Sequence, residues 1–335
     1  MIDFRYHLVS IVAVFLALAI GIVLGSTELQ GPVYNMLNGE TASMKSQLNT
    51  ATNERQAAEQ ELAADNAWIQ ANETAVLHDM LTGQRIVIVT EPGAQTTVVD
   101  GVTEAAKLAG ATVTDVVNLQ SKFFDTTNTT ADTLSQMNAT LAQNDQIQLD
   151  ASAGSPQQGA AQVLASEILT TPGAVQSGAT GAQSVLASYA GANFLTASNT
   201  SAAQATLAVI VTPQTIPADE SVDPLAQDLG PFAQELAKVK TTPTVVVGSA
   251  AGSVAGSPIA VLRGTDAANQ VSTVDDADTT RGQVTAMQAL RIELNGGSPG
   301  SYGIDSGSTY PSVTPSASAS ATAPASPGST KKPRK

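Results

Sequence analysis

Residues 8–24 read LVSIVAVFLALAIGIVL, seventeen residues with no charge and one hydroxyl, Ser10. Nothing else in the chain narrows its fate so far. As a helix rising 1.5 Å per residue, the run covers roughly 26 Å, close to the ~30 Å hydrocarbon core of a bilayer. A core helix of a water-soluble domain keeps a polar face, and this run is apolar on every side. A cleaved signal peptide is the sharper rival. Its apolar region is usually about 7–15 residues long and ends in an A-x-A-like site, whereas this run ends Val23-Leu24-Gly25-Ser26. The preferred reading is a retained anchor, residues 1–25, that meets membrane lipid through residues 8–24. Arg5 precedes the run, and no Lys or Arg follows it until Lys45. The positive-inside rule then places the N-terminus in the cytoplasm and residues 26–335 outside, as a single-pass protein of the cell membrane.

Between Tyr34 and Leu81 there is no proline and one glycine, Gly39. Two lines of positions repeat every seven residues, offset by three. One runs Tyr34, Thr41, Leu48, Arg55, Leu62, Ile69, Val76, and the other Leu37, Met44, Ala51, Ala58, Asp65, Asn72. That offset is the seam of a heptad repeat. The spacing predicts a long helical stalk over residues 26–83, with Leu48, Leu62, Ile69 and Val76 as the coiled-coil interface of a homodimer or higher oligomer. Arg55, Asp65 and Asn72 weaken a strict two-helix seam, so a single helix packed on its own globular domain stays open.

Residues 85–90 (RIVIVT) and 112–119 (TVTDVVNL) read as buried strands around a helical stretch, 96–109, that ends before Gly110. That is one βαβ unit and favours a parallel sheet. Residues 207–212 and 244–248 are further strands, 259–262 and 271–274 weaker ones; 223–239 contains a helix that Pro231 interrupts or starts, and 279–294 is a closing helix. The expected fold class is α/β: a Rossmann-like, doubly wound parallel sheet domain over residues 84–297, behind a single transmembrane helix and a stalk. Residues 121–204 read as helices and loops with few landmarks. Residues 298–335 are rich in Ser, Ala, Pro, Thr and Gly, and are expected to form a disordered tail.

Composition excludes several chemistries. The formal charge is −14, and four of the fifteen cations lie at Lys331, Lys332, Arg334 and Lys335, leaving 11 against 29 over residues 1–330. Nucleic acid is therefore not an expected partner, because phosphate binding needs clustered cations. With no cysteine and only His7 and His78, thiolate metal sites, cysteine nucleophiles and a Ser-His-Asp triad in the globular region are all ruled out. The turn after the first strand, Thr90-Glu91-Pro92-Gly93-Ala94, lacks the G-x-G-x-x-G fingerprint, and the spaced Gly248, Gly252 and Gly256 match neither it nor a P-loop. No catalytic residue and no cofactor is assigned, and the chain is expected not to be an enzyme. Asp275, Asp276 and Asp278, with Arg281 nearby, follow a strand at the sheet edge where α/β folds bind ligands. They read either as a ligand cluster or as the acidic cap of the next helix. Among metal ligands, His78 and Met80 form the one close pairing of types that copper accepts.

The opening Ile2-Asp3-Phe4-Arg5-Tyr6-His7-Leu8-Val9-Ser10, running on through residues 14–25, is similar to the start of the mycobacterial copper transport protein B family of actinobacteria. The stalk, the strand from Gln84 to Thr90, the segment Val271-Ser272-Thr273-Val274-Asp275-Asp276 and Tyr302-Gly303 resemble it too, so the likeness covers about residues 1–304. The resemblance implies copper transport or copper homeostasis, with efflux or resistance as the role and copper as a transported or bound species. It also implies an outer-membrane channel. A membrane β-barrel needs many alternating strands of about ten residues with aromatic girdles. Twelve aromatic residues and an N-terminal helix fit an inner-membrane anchor instead. Relatives in mycolate-bearing bacteria are associated with envelope assembly and cell separation. That implies an alternative role as a non-enzymatic coiled-coil scaffold or regulator acting on an envelope protein partner.

Overall fold

The computed structural model describes residues 4–150, 154–172, 180–198, 203–214, 224–238, 241–249 and 256–311. The chain divides into two compact units, residues 1–67 and residues 68–335.

In the first unit the chain is helical throughout its described part, within α1 (Phe4–Leu77). The stretch Tyr6–Gly25 has the length and composition to cross a membrane, and none of it is buried inside the protein. Farther along, Met36, Met44, Leu48 and Leu62 are exposed. Helix formers such as Ala, Gln and Glu make this backbone helical without any core of its own.

The second unit is built on a seven-stranded sheet in the order β3-β2-β1-β4-β5-β6-β7. The strands are β1 (Arg85–Thr90), β2 (Thr112–Leu119), β3 (Leu195–Ala197), β4 (Leu207–Val211), β5 (Thr244–Val247), β6 (Ser272–Val274) and β7 (Ser301–Tyr302). All neighbours run parallel except β2 and β3. The chain starts in the middle at β1, lays β2 on one side and returns to lay β4 on the other. Strands covered on both faces carry continuous apolar runs, and all five residues of β4, Leu-Ala-Val-Ile-Val, are buried.

Helices cover both faces. On one lie α3 (Asn128–Asn144), α4 (Pro156–Ile168), α5 (Thr180–Gly191), α6 (Pro224–Lys238) and α7 (Pro258–Arg263), around Phe123, Leu164, Tyr189 and Phe232. On the other lie α2 (Thr96–Leu108) and α8 (Thr280–Leu294), together with the end of α1. Leu77 and Leu81 are fully buried in that second core beside Val102 and Leu290. The compact unit therefore takes up residues 68–83, which the heptad spacing had assigned to the stalk.

Three expectations are corrected. Residues 259–262 form helix α7, not a strand. Ser257-Pro258 starts a helix, because proline is tolerated at its first position, and Ile259 and Leu262, three apart, share its buried face. Pro231 lies inside α6. The stretch assigned to a disordered tail from residue 298 contributes β7 and an ordered turn as far as residue 311, because Asp275 and Arg263 supply bonds that the local sequence does not advertise. Residues 312–335 and the glycine-bearing stretch 250–255 lie outside the described residues.

Candidate functional site

β6 ends at Val274, and the next two side chains turn into the protein. Asp275 and Asp276 are each 0% exposed. Asp275 is held from four directions. Arg263 Nη1 donates to its Oδ2 at 2.7 Å, the Ile304 amide to Oδ1 at 2.8 Å, and the Asp305 amide and Ser308 hydroxyl to Oδ2 at 3.3 Å each. Arg263 also donates to the Tyr302 carbonyl at 2.8 Å, the Thr273 hydroxyl at 2.9 Å and Asp305 at 3.3 Å. A buried carboxylate is tolerated when it is paired and fully hydrogen-bonded. Gly303, at φ +125°, lies against it so closely that a Cβ would collide with the carboxylate.

Asp276 accepts from Arg281 Nε at 2.9 Å and from the Tyr310 hydroxyl at 3.3 Å, both on Oδ2. Its Oδ1 is buried with no hydrogen-bond partner among the described residues. Burial pushes its pKa up, against the opposing pull of Arg281. Arg281 stands over the Tyr310 ring, 5.3 Å from its centre. Asp278 is exposed. The N-cap of α8 is Thr279, whose hydroxyl accepts from the Gly282 amide at 3.1 Å. Two of the three acids, Asp275 and Asp276, fasten residues 304–310 to the sheet edge.

Arg281 and Tyr310 form one end of a groove of about 250 Å³, walled by Trp68, Ile69, Val76 and Val284. Glu73 also lines it, its pKa raised by burial and, secondarily, by Glu104. The expected interface line is thus divided. Leu48 and Leu62 are exposed in the first unit, at 67% and 47%, while Ile69 and Val76 line this groove in the second.

His78 and Met80 do different things. His78 is exposed, its Nδ1 3.0 Å from Asp79 Oδ2. Met80 packs against the core that holds Leu77 and Leu81. Of the other methionines, Met36 and Met44 are exposed, Met137 leans on the opposite core and Met287 is buried. Among the described residues no three His, Asp or Glu side chains gather as a metal site. The arrangement thus offers a His–Asp pair to a metal, and a fixed charge cluster at the sheet edge.

Sequence reasoning missed Arg263, Asp305, Tyr310 and Glu293. The last sits at the end of α8, where its carboxyl accepts from the Thr244 amide at 3.0 Å and the Ser272 hydroxyl at 2.5 Å. Burial pushes its pKa up to about 7, against the hydrogen bonds from the Ser272 hydroxyl, the Thr244 amide and the Ser272 backbone. A glutamate in an otherwise apolar-spaced last turn was the one available signal.

A family model described as copper transport outer membrane protein, MctB, matches residues 1–313. The protein named copper transporter MctB of Mycobacterium tuberculosis (strain H37Rv) is 31% identical over 314 residues, which cover 92% of this chain and 98% of that protein. Its namesake in Mycobacterium bovis matches to the same extent. That of Mycobacterium leprae is 28% identical over 317 residues, with the same coverage.

Proposed function

We propose that this chain, which belongs to the MctB family of copper transport proteins, serves copper transport and homeostasis at the cell envelope as a non-enzymatic membrane protein. The observation that carries this is the family match from residue 1 to residue 313, anchor and α/β unit together. The apolar helix Tyr6–Gly25 is the single membrane anchor in this reading, with the N-terminus in the cytoplasm. The described strands form one open sheet, with helices on both faces, and an open sheet cannot line a membrane pore. The role is therefore copper handling beside the membrane, in support of efflux or resistance, and His78 with Asp79 and Met80 is the place to test for copper contact.

Calorimetry on the purified full-length chain in detergent tests it. Binding of Cu(I) or Cu(II) in simple ratio, reduced at least tenfold in His78→Ala/Met80→Ala, is the expected outcome. Heats indistinguishable from buffer at micromolar copper, together with unchanged copper accumulation in cells that lack the chain, would defeat it.

A second reading rests on the exposed Leu48 and Leu62 of α1. A helix with no tertiary packing is marginal in water, and one with repeated apolar positions is completed by another helix. In this reading the stalk pairs with a second copy or an envelope partner and acts as a scaffold. Leu48→Glu/Leu62→Glu should abolish cross-linked assemblies at the membrane. Assemblies that survive the double change would remove this reading.

A further inference from the structure

Residues 300–310 form a strap along the β6–β7 edge, and the strap ends at the groove. One wall of the groove is the last turns of α1, from Trp68 to Val76, and the other is the first turns of α8, from Arg281 to Gln288; Tyr310 joins them from the strap. Trp68 is 69% exposed, and Val76 and Tyr310 are 45% exposed. Two aromatic rings thus stand open beside the aliphatic side chains of Ile69 and Val284, and an exposed apolar patch of this kind marks a binding surface. At 1.5 Å per residue each helical wall runs roughly 10–12 Å.

The charge in the groove is one-sided. Arg281 is engaged with Asp276 Oδ2 at 2.9 Å. Glu73 is half-buried, and Glu104 lies near enough to add to the upward push that burial gives its pKa. Lys107 pairs with Glu104 at 3.7 Å, whereas among the described residues Glu73 is in no ion pair.

The chain continues from this place. Pro311 follows Tyr310 and is the last described residue. Beyond it the sequence is uncharged as far as Thr330, includes Pro324-Ala325-Ser326-Pro327, and ends Lys331-Lys332-Pro333-Arg334-Lys335. A Pro-x-x-Pro segment favours the polyproline II helix, which docks on aromatic-lined grooves at low entropic cost. At 3.1 Å per residue its two prolines lie about 9 Å apart, which matches the length of the walls. Between Pro311 and Pro324 the chain reaches roughly 20 Å on average and about 40 Å when extended, enough to double back over the groove. Lys331 follows the second proline by about 12 Å in the same conformation, which brings a cation to Glu73.

We propose that the groove receives proline-rich extended segments, and that its resident occupant is residues 324–332 of this same chain. Pro324 and Pro327 pack on Trp68 and Tyr310, and Lys331 or Lys332 meets Glu73. Tethering makes the contact intramolecular, with an effective concentration on the order of millimolar, so one short segment suffices. Any other proline-rich ligand must displace this tail. The contact goes beyond copper handling and does not depend on it.

Emission from Trp68, the chain's one tryptophan, tests this on the full-length protein in detergent. It should be blue-shifted, and better shielded from acrylamide, in the intact chain than in a variant that ends at Pro311. Pro324→Ala/Pro327→Ala in the full-length chain should match the shortened variant. A synthetic peptide of residues 321–335 should return the blue shift to the shortened variant and bind the intact chain roughly tenfold more weakly, because the resident tail competes. Glu73→Gln in the shortened variant should weaken that peptide roughly two- to five-fold. Emission unchanged by the shortening, equal binding of a scrambled peptide of the same composition, or a blue shift lost on dilution, which would make the occupant a second copy's tail, would each overturn the assignment. If the shortened variant fails to fold, Pro324→Ala/Pro327→Ala decides, since it leaves the strap and the chain length intact: emission like the wild type's refutes the contact.

Discussion

Replacing Arg263 by methionine keeps the aliphatic stem of the side chain and removes its charge. The guanidinium is 13% exposed, and its partner Asp275 is 0% exposed. The change deletes the 2.7 Å bond to Asp275 and the bonds to the Tyr302 carbonyl, the Thr273 hydroxyl and Asp305. Asp275 is left with one short donor, the Ile304 amide at 2.8 Å, and two long ones at 3.3 Å. Breaking a buried pair from one side typically costs about 3–5 kcal/mol, because the remaining charge stays buried and uncompensated. For a unit of this size that corresponds to a Tm lowered by roughly 6–20 °C. Urea unfolding followed by the emission of Trp68 measures it, since that residue lies in the same compact unit. The companion variant Arg263→Met/Asp275→Asn removes both charges and leaves an amide oxygen for the Ile304 amide. It should recover about 2 kcal/mol relative to the sum of the two single changes. A single variant within about 1 kcal/mol of wild type, or a double variant as poor as that sum, would show that the pair is not what holds the strap.

Leu77→Ala, at a fully buried position of α1, should cost about 2–5 kcal/mol in the same urea experiment, whereas Leu62→Ala, exposed in the first unit, should leave that transition unchanged. Thr279→Ala removes the cap of α8 and should cost about 1 kcal/mol, while Asp278→Ala at the exposed neighbouring position should stay within about 0.5 kcal/mol. Gly282→Ala drives a methyl into the Asp276 carbonyl, where backbone cannot yield cheaply; thermal unfolding should show a loss of about 2 kcal/mol or more. Tyr189→Phe leaves Asn138 Oδ1 without its 2.7 Å donor in the opposite core and should cost about 1–3 kcal/mol.

The strands β1, β2, β4 and β5 were legible because parallel strands covered on both faces must be apolar at successive positions, and Ile86-Val87-Ile88-Val89 cannot be much else. Helices α2 and α8 were legible from their spacing, and α2 also from Gly110 beyond its end. The two edge strands were not. β3 and β7 are three and two residues long, too short to show any alternation. The short apolar run 259–262 misled because four residues fit either a strand or one helical turn, and only Ser257-Pro258 favours the helix. The strap was hidden for a different reason. Its order comes from Asp275 and Arg263, each remote in sequence from residues 302–310, and Ser-Gly-rich composition reads as loose whether or not a distant carboxylate holds it. Asp275 and Asp276 were legible as a cluster but not as a fastening, since a pair of acids after a strand looks alike in both roles. His78 and Met80 are two apart in sequence, and one side chain faces solvent while the other faces the core.

Leu77 and Leu81 dictate where this protein can be cut. A soluble version that begins at Arg85, the first residue of the sheet, would discard two leucines from the interior and leave a wet slot beside Val102 and Leu290. One that begins upstream of Trp68 keeps the interior whole and sheds only the greasy run and most of the naked rod. Trimming from the amino end therefore has a natural stop, set by the fold and not by the lipid boundary.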